Sequence, residues 1–239
     1  AATTATATTT SASSEPTKVG VRPLSRSGVK FEVARVLFNP ANDAYLAVAG
    51  YDMCQVFTLG AKGDVVDRLQ VGPEQWPLDG ILGAIIDVQW VPASPSLLAV
   101  TVSSQVAIFD LATSSVAPVA TVSLEPGPGG LLAASSFALL KGHLALFLLS
   151  DEGEAYCHRF ANGSVADDAR RSGGDATVAK SARLELPEKV RGRAGLSMTY
   201  SLAHHLLLAS FDGGYSVAAR VDLASGAVKS ANLAARGGD

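Results

Sequence analysis

Two adjacent imidazoles, His204 and His205, are the first candidates for chemistry. Histidine pairs ligate metals or relay protons. Neighbouring residues of a strand point to opposite faces, so this pair cannot hold one ion without distortion, and it reads as the edge of a strand. Cys157 and His158 fail for the same reason. One of them is expected to be buried and the other exposed, on the third strand of a sheet. Asp151-Glu152-Gly153-Glu154 crowds three carboxylates into four residues. A calcium loop needs oxygen ligands spaced over about twelve residues, so this run reads as a solvated hairpin turn. Gly127-Pro128-Gly129-Gly130 lacks the Lys and Ser/Thr that follow a phosphate-cradling loop. Cys54 and Cys157 are the only cysteines. Structural zinc takes four Cys/His ligands, and neither cysteine lies in a C-x-x-C pair. No catalytic residue, cofactor site or metal site is expected from these patterns.

Three softer candidates remain. Trp76 stands between Gln75 and Pro77 in a loop. It is either an exposed anchor for a protein partner or part of a loop folded over its own sheet. Asp52 and Asp212 occupy matching turns, with Ser103 and Asp151 at the equivalent places between them. If those turns converged on an axis, Asp52 and Asp212 would bind a cation at a channel mouth. The plainer reading is that Asp and Ser favour turns.

The elements that position these residues are strands. From Val29 onward, apolar runs of five to eight residues alternate with Gly, Pro, Asn and Asp, which is strand rather than helix patterning. Four copies of one unit follow: YLAVAGYDMCQVFTL (45–59), LLAVTVSSQVAIFDL (97–111), HLALFLLSDEGEAYCHRF (143–160) and HLLLASFDGGYSVAARVDL (205–223). Each is a strand, a short turn and a second strand. Strand-like runs flank every copy, giving four strands per unit at about the spacing of propeller blades. Asp110-Leu111 and Asp222-Leu223 open small-residue turns in which the Asp caps the strand end. The expected fold is therefore all-β, with about four four-stranded WD40-like β-propeller blades at 31–71, 84–124, 131–187 and 195–233. A loop insertion is expected at 161–181, and an Ala/Thr/Ser-rich disordered tail at 1–29. The apolar second strands predict burial of Leu46, Val48, Leu98, Val100, Leu144, Leu146, Leu206 and Leu208.

Composition narrows the function classes. The chain has 239 residues, 48% hydrophobic and 17% charged, with net charge -3. That apolar share supports a packed core. The balance of 19 basic and 22 acidic residues leaves no positive field for nucleic acid. No apolar run reaches the roughly 18 residues of a membrane span. The low cysteine use fits a reduced, cytoplasmic setting.

The stretch from Leu37 to Leu111 is the most specific. It holds Phe38-Asn39-Pro40, Tyr45-Leu46-Ala47-Val48-Ala49-Gly50-Tyr51, Cys54-Gln55-Val56, Asp67-Arg68-Leu69, Trp90-Val91-Pro92 and Phe109-Asp110-Leu111. This resembles the WD40-like propeller of the BIG/pushover/calossin family, very large E3 ubiquitin ligases of the N-recognin class whose plant members serve auxin transport. The resemblance implies a non-catalytic interaction scaffold, a propeller portion of such a ligase with the rest of a very large parent chain among its protein partners. The family's degron-reading box and ubiquitin-transfer module are zinc-dependent, and 2 Cys and 4 His cannot supply them. The matching motifs are structural, so no family site residue carries over. The alternative is an autonomous small propeller, a binding or enzyme domain with its site at the channel mouth. The absence of an initiating Met and the ending at Arg236-Gly237-Gly238-Asp239 favour an arc of a larger propeller over a closed small ring.

Overall fold

A computed structural model describes residues 28–72, 84–124, 130–172, 175–177 and 182–235. Trp76 and nearly all of the expected tail lie outside them. Phe31–Asp239 form one unit, separate from Ala1–Lys30, and the architecture is that of this unit.

The strands run in chain order as consecutive antiparallel meanders. Blade 1 comprises β1 (Arg35–Asn39), β2 (Asn42–Ala49), β3 (Cys54–Leu59) and β4 (Val65–Val71). Blade 2 comprises β5 (Ile85–Trp90), β6 (Leu97–Val102), β7 (Gln105–Asp110) and β8 (Ala120–Ser123). Blade 3 holds β9 (Leu132–Leu140), β10 (His143–Ser150) and β11 (Ala155–Arg159). Within 161–181 lie a helix, α1 (Val165–Ser172), and a strand, β12 (Asp175–Thr177), and blade 3 is then closed by β13 (Ala182–Arg183). Blade 4 comprises β14 (Gly195–Ser201), β15 (Leu206–Phe211), β16 (Tyr215–Val221) and β17 (Val228–Ala235). Four such sheets in sequence order are propeller blades, and the all-β, WD40-like architecture stands. The β9–β10 hairpin turns on Lys141 (φ 51) and Gly142 (φ 79), both in the left-handed region that a two-residue hairpin needs.

Three apolar seams join neighbouring blades. The first combines Ala47, Ala49, Cys54 and Val56 of blade 1 with Val88, Trp90, Leu98, Val100 and Phe109 of blade 2. The second sets Ala99, Val106 and Ile108 against Phe137, Leu144, Leu146 and Leu148. The third sets Ala138, Ala145, Phe147 and Cys157 against Met198, Tyr200, Leu207 and Phe211. Strand residues alternate in direction, so each blade has a forward face, toward the next blade in sequence, and a backward face. The forward faces carry alanines and cysteines among their larger residues. The backward faces are built mostly from Leu, Val and aromatic side chains, which fill the space the small residues leave.

Six of the eight leucine and valine positions expected in the core are buried, from Leu46 to Leu146. Leu206 is half-buried and Leu208 is 40% exposed. The reason is position. Leu207, Ala209 and Phe211 point back at blade 3, while Leu206 and Leu208 share the forward face of blade 4, which no described blade covers.

Cys157 and His158 also depart from expectation, because both are buried. Cys157 points into the third seam. His158 is covered by the 161–172 segment. Its Nε2 lies 2.9 Å from Asp168 Oδ2 on α1, and its ring meets Phe160 edge-on at 4.8 Å. Ser164 caps the helix by accepting a hydrogen bond from Asp167 N–H at 3.3 Å. Asp167 and Asp168 sit in the first turn, where the helix dipole favours negative charge. β12 then crosses to blade 2 and pairs in parallel with β8, Asp175 opposite Thr121.

Candidate functional site

The turns between second and third strands form one candidate. Asp52 and Asp212 are both exposed there, in blades 1 and 4. The Asp212 carboxylate lies 4.0 Å from the Arg193 guanidinium. Arg193 stacks 4.0 Å from the centre of the Tyr215 ring and donates from Nε to the Lys189 carbonyl at 2.8 Å. Asp151, at the equivalent turn of blade 3, is committed structurally. Its carboxylate accepts Leu131 N–H at 2.7 Å and its own N–H donates to Leu131 O at 2.8 Å, which fastens the chain as it enters β9. The same turns hold the next blade. Ile85 N–H donates to Tyr51 O at 2.6 Å, and Leu132 N–H to Ser103 O at 2.7 Å. Gly195 packs so closely on Ser150 O that a β-carbon there would collide with it. The Asp151 side chain and the backbone of these turns thus serve blade assembly.

The first strands carry a second constellation, which the sequence reading passed over. Gln89 on β5 reaches forward to β9. Its Nε2 donates to Ser135 O at 2.7 Å, and its Oε1 accepts Phe137 N–H at 3.2 Å. Ser136 on β9 repeats the move, its hydroxyl accepting Tyr200 N–H of β14 at 2.9 Å. At the first seam the contact runs the other way, from Trp90 Nε1 to Leu37 O at 3.0 Å. Arg35 and Asp87 add an ion pair at 3.5 Å between β1 and β5. These bonds satisfy strand backbone groups that would otherwise be buried without partners. The signal was present as a polar-aromatic pair in three first strands: Gln89-Trp90, Ser136-Phe137 and Thr199-Tyr200.

Clefts also open among the described residues. One of about 400 Å³ lies between blades 2 and 3, walled by Pro92, Pro95, Leu97, Leu139, Leu144 and Val165, with Asp110 on its lining. Burial works to raise the Asp110 carboxyl. Hydrogen bonds from Ser96 Oγ, Thr113 Oγ1 and Ala112 N–H outweigh it and hold the group below the usual carboxylate range. Another cleft, about 270 Å³, lies beside Glu154, Arg183, Leu184 and Arg191 on the rim of blade 3. There Arg183 pairs with Glu154, which also accepts a hydrogen bond from the Tyr156 hydroxyl.

Among the described residues no three His, Cys, Asp or Glu side chains come together as a metal site would need. Burial pushes the Cys54 and Cys157 thiols up to about 12, which leaves both poor nucleophiles at neutral pH. No described helix is long and apolar enough to cross a membrane.

No family model matches the chain. It is similar to the auxin transport protein BIG of Oryza sativa subsp. japonica, 34% identical over 207 residues, which is 86% of this chain and 4% of that protein. A probable E3 ubiquitin-protein ligase of Dictyostelium discoideum is 28% identical over 131 residues, 50% of this chain and 2% of the ligase. The protein purity of essence of Drosophila pseudoobscura pseudoobscura is 28% identical over 101 residues, 42% of this chain and 2% of that protein. The chain thus spans a few per cent of the length of the relatives it matches. Among solved structures, the crystal structure of Kluyvelomyces marxianus Hsv2 overlaps 80% of this chain and 50% of its own, with TM-score 0.45 and 13% identity.

Proposed function

The chain is related to the BIG family, and from that kinship we propose that it is a non-catalytic interaction scaffold, a propeller segment of a BIG-like protein acting in ubiquitination. The observation that carries this reading is the match over 86% of the chain to 4% of a far longer relative. Blade turns and first-strand side chains devoted to assembly support it, since they leave the clefts and rims free to bind. In this reading the scaffold works in the cytoplasm, holds protein partners for the rest of a very large polypeptide, and uses Trp76 as a partner contact. Asp52 and Asp212 have a binding role only if a small propeller operates alone with its site at the channel mouth.

Removing the segment from the natural polypeptide separates the two roles. Loss of partner capture with ubiquitin transfer intact is the expected result. Loss of transfer with every partner still bound would overturn the scaffold reading.

A further inference from the structure

The forward face of blade 4 repeats, without a partner, the arrangement that seats one blade on another. At two seams the residue before a first-strand aromatic matters. Gln89 precedes Trp90 and accepts Phe137 N–H of the next blade, and Ser136 precedes Phe137 and accepts Tyr200 N–H. Thr199 precedes Tyr200 at the same position of β14. The pairing confirms the match: Trp90 lies opposite Leu98, Phe137 opposite Leu146 and Tyr200 opposite Leu207. Yet Thr199 is exposed, and its hydroxyl has no hydrogen-bond partner among the described residues.

The rest of the face follows the same plan. Thr199 stands opposite Leu208, Leu208 opposite Ala218, and Ser210 opposite Ser216. Small residues on the second and third strands are also what blades 1 and 2 offer forward, with Ala47, Ala49, Cys54 and Ala99. Leu208 (40% exposed) and the half-buried Leu206 supply the apolar contact. We propose that the forward face of blade 4 is the docking surface for a further propeller blade, one that presents a bulky apolar backward face and an aromatic residue on its first strand, with Thr199 accepting that residue's backbone N–H. This rests on the reading of the chain as a segment of a larger propeller. A second copy of the chain fits less well. Its blade 1 has the matching aromatic, Phe38, 61% exposed, but Leu46, Val48 and Phe57 on the same backward face are already buried.

The two native cysteines are fully buried, so in the isolated chain a maleimide reports on an introduced thiol alone, and in the natural polypeptide the extent of labelling is read on the peptides that carry positions 43, 199 and 208. Thr199→Cys, Leu208→Cys and, as an exposed reference, Asp43→Cys are made both in the isolated chain and at the natural locus. Two forward-face positions guard against one variant misfolding. In the isolated chain all three should label at similar rates. In the natural polypeptide, labelled under native conditions, positions 199 and 208 should slow at least about tenfold while position 43 does not, since a covered site reacts only through rare opening. Equal labelling in a polypeptide much longer than 239 residues would overturn the docking surface and leave the segment reading standing. A natural polypeptide no longer than the chain would remove the segment reading itself. A dimer of the isolated chain that Leu208→Lys dissociates would assign the face to a second copy and overturn the proposal.

Discussion

β10 and β15 are the second strands of neighbouring blades, and both are apolar runs, HLALFLLS and LLLASF. Past His143 every side chain of β10 is buried. Along β15 burial alternates, with Leu207, Ala209 and Phe211 inside and Leu208 outside. The residues are alike, and the difference lies in what stands on each side. Blade 3 is covered by blade 2 on one face and blade 4 on the other, while the described residues place a blade against only one face of blade 4. Burial in a stacked architecture is a property of the neighbours, as it is in other repeat proteins whose stability sums over adjoining units.

The largest expected effect tests that contrast directly. Leu146→Ala should cost about 2–5 kcal/mol, the range for a leucine cavity in a close-packed core. Leu208→Ala should stay within about 0.5 kcal/mol, as surface changes do. Denaturant melts of both variants decide it, and similar costs would break the comparison. A second pair sharpens it at one hydrogen bond. Ser136→Ala leaves Tyr200 N–H without its acceptor in the third seam and should cost about 1–3 kcal/mol. Thr199→Ala, at the same position one blade on, should change stability by no more than about 0.5 kcal/mol in the isolated chain.

The smallest effect concerns the turn of blade 2. Asp110 accepts three hydrogen bonds, so Asp110→Asn should cost about 0.5–1.5 kcal/mol at neutral pH. The folded carboxyl titrates below its unfolded value. Its contribution is therefore fully present above the unfolded carboxylate range and is lost as pH falls through the lower, folded value. Stability measured against pH should show the wild-type advantage over Asp110→Asn shrinking only on the acid side. A gap that held constant into acid would contradict the assignment.

Much of the architecture was legible in the residues because strand alternation and turn chemistry are local. The four copies and the capping turns at Asp110 and Asp222 could be read directly. What escaped depends on distant chain. Alternation put one of Cys157 and His158 on the surface, but the 161–172 segment sets Asp168 against His158 and leaves both buried. Leu208 looked like Leu146 because nothing within either strand records which faces are covered. The first-strand contacts were visible as polar-aromatic pairs, but their purpose appears only when Gln89 and Ser136 meet the next blade's backbone. Trp76 lies outside the described residues.

β12 has a consequence for the order of synthesis. The strand belongs to the chain of blade 3 yet adds itself in parallel to the outer edge of blade 2. Thr121, Val122 and Ser123 leave the ribosome long before Asp175, Ala176 and Thr177. During that interval the edge of blade 2 is an open strand, the kind of surface that templates mispairing. Nascent blade 2 therefore completes its hydrogen bonding only after most of blade 3 has emerged.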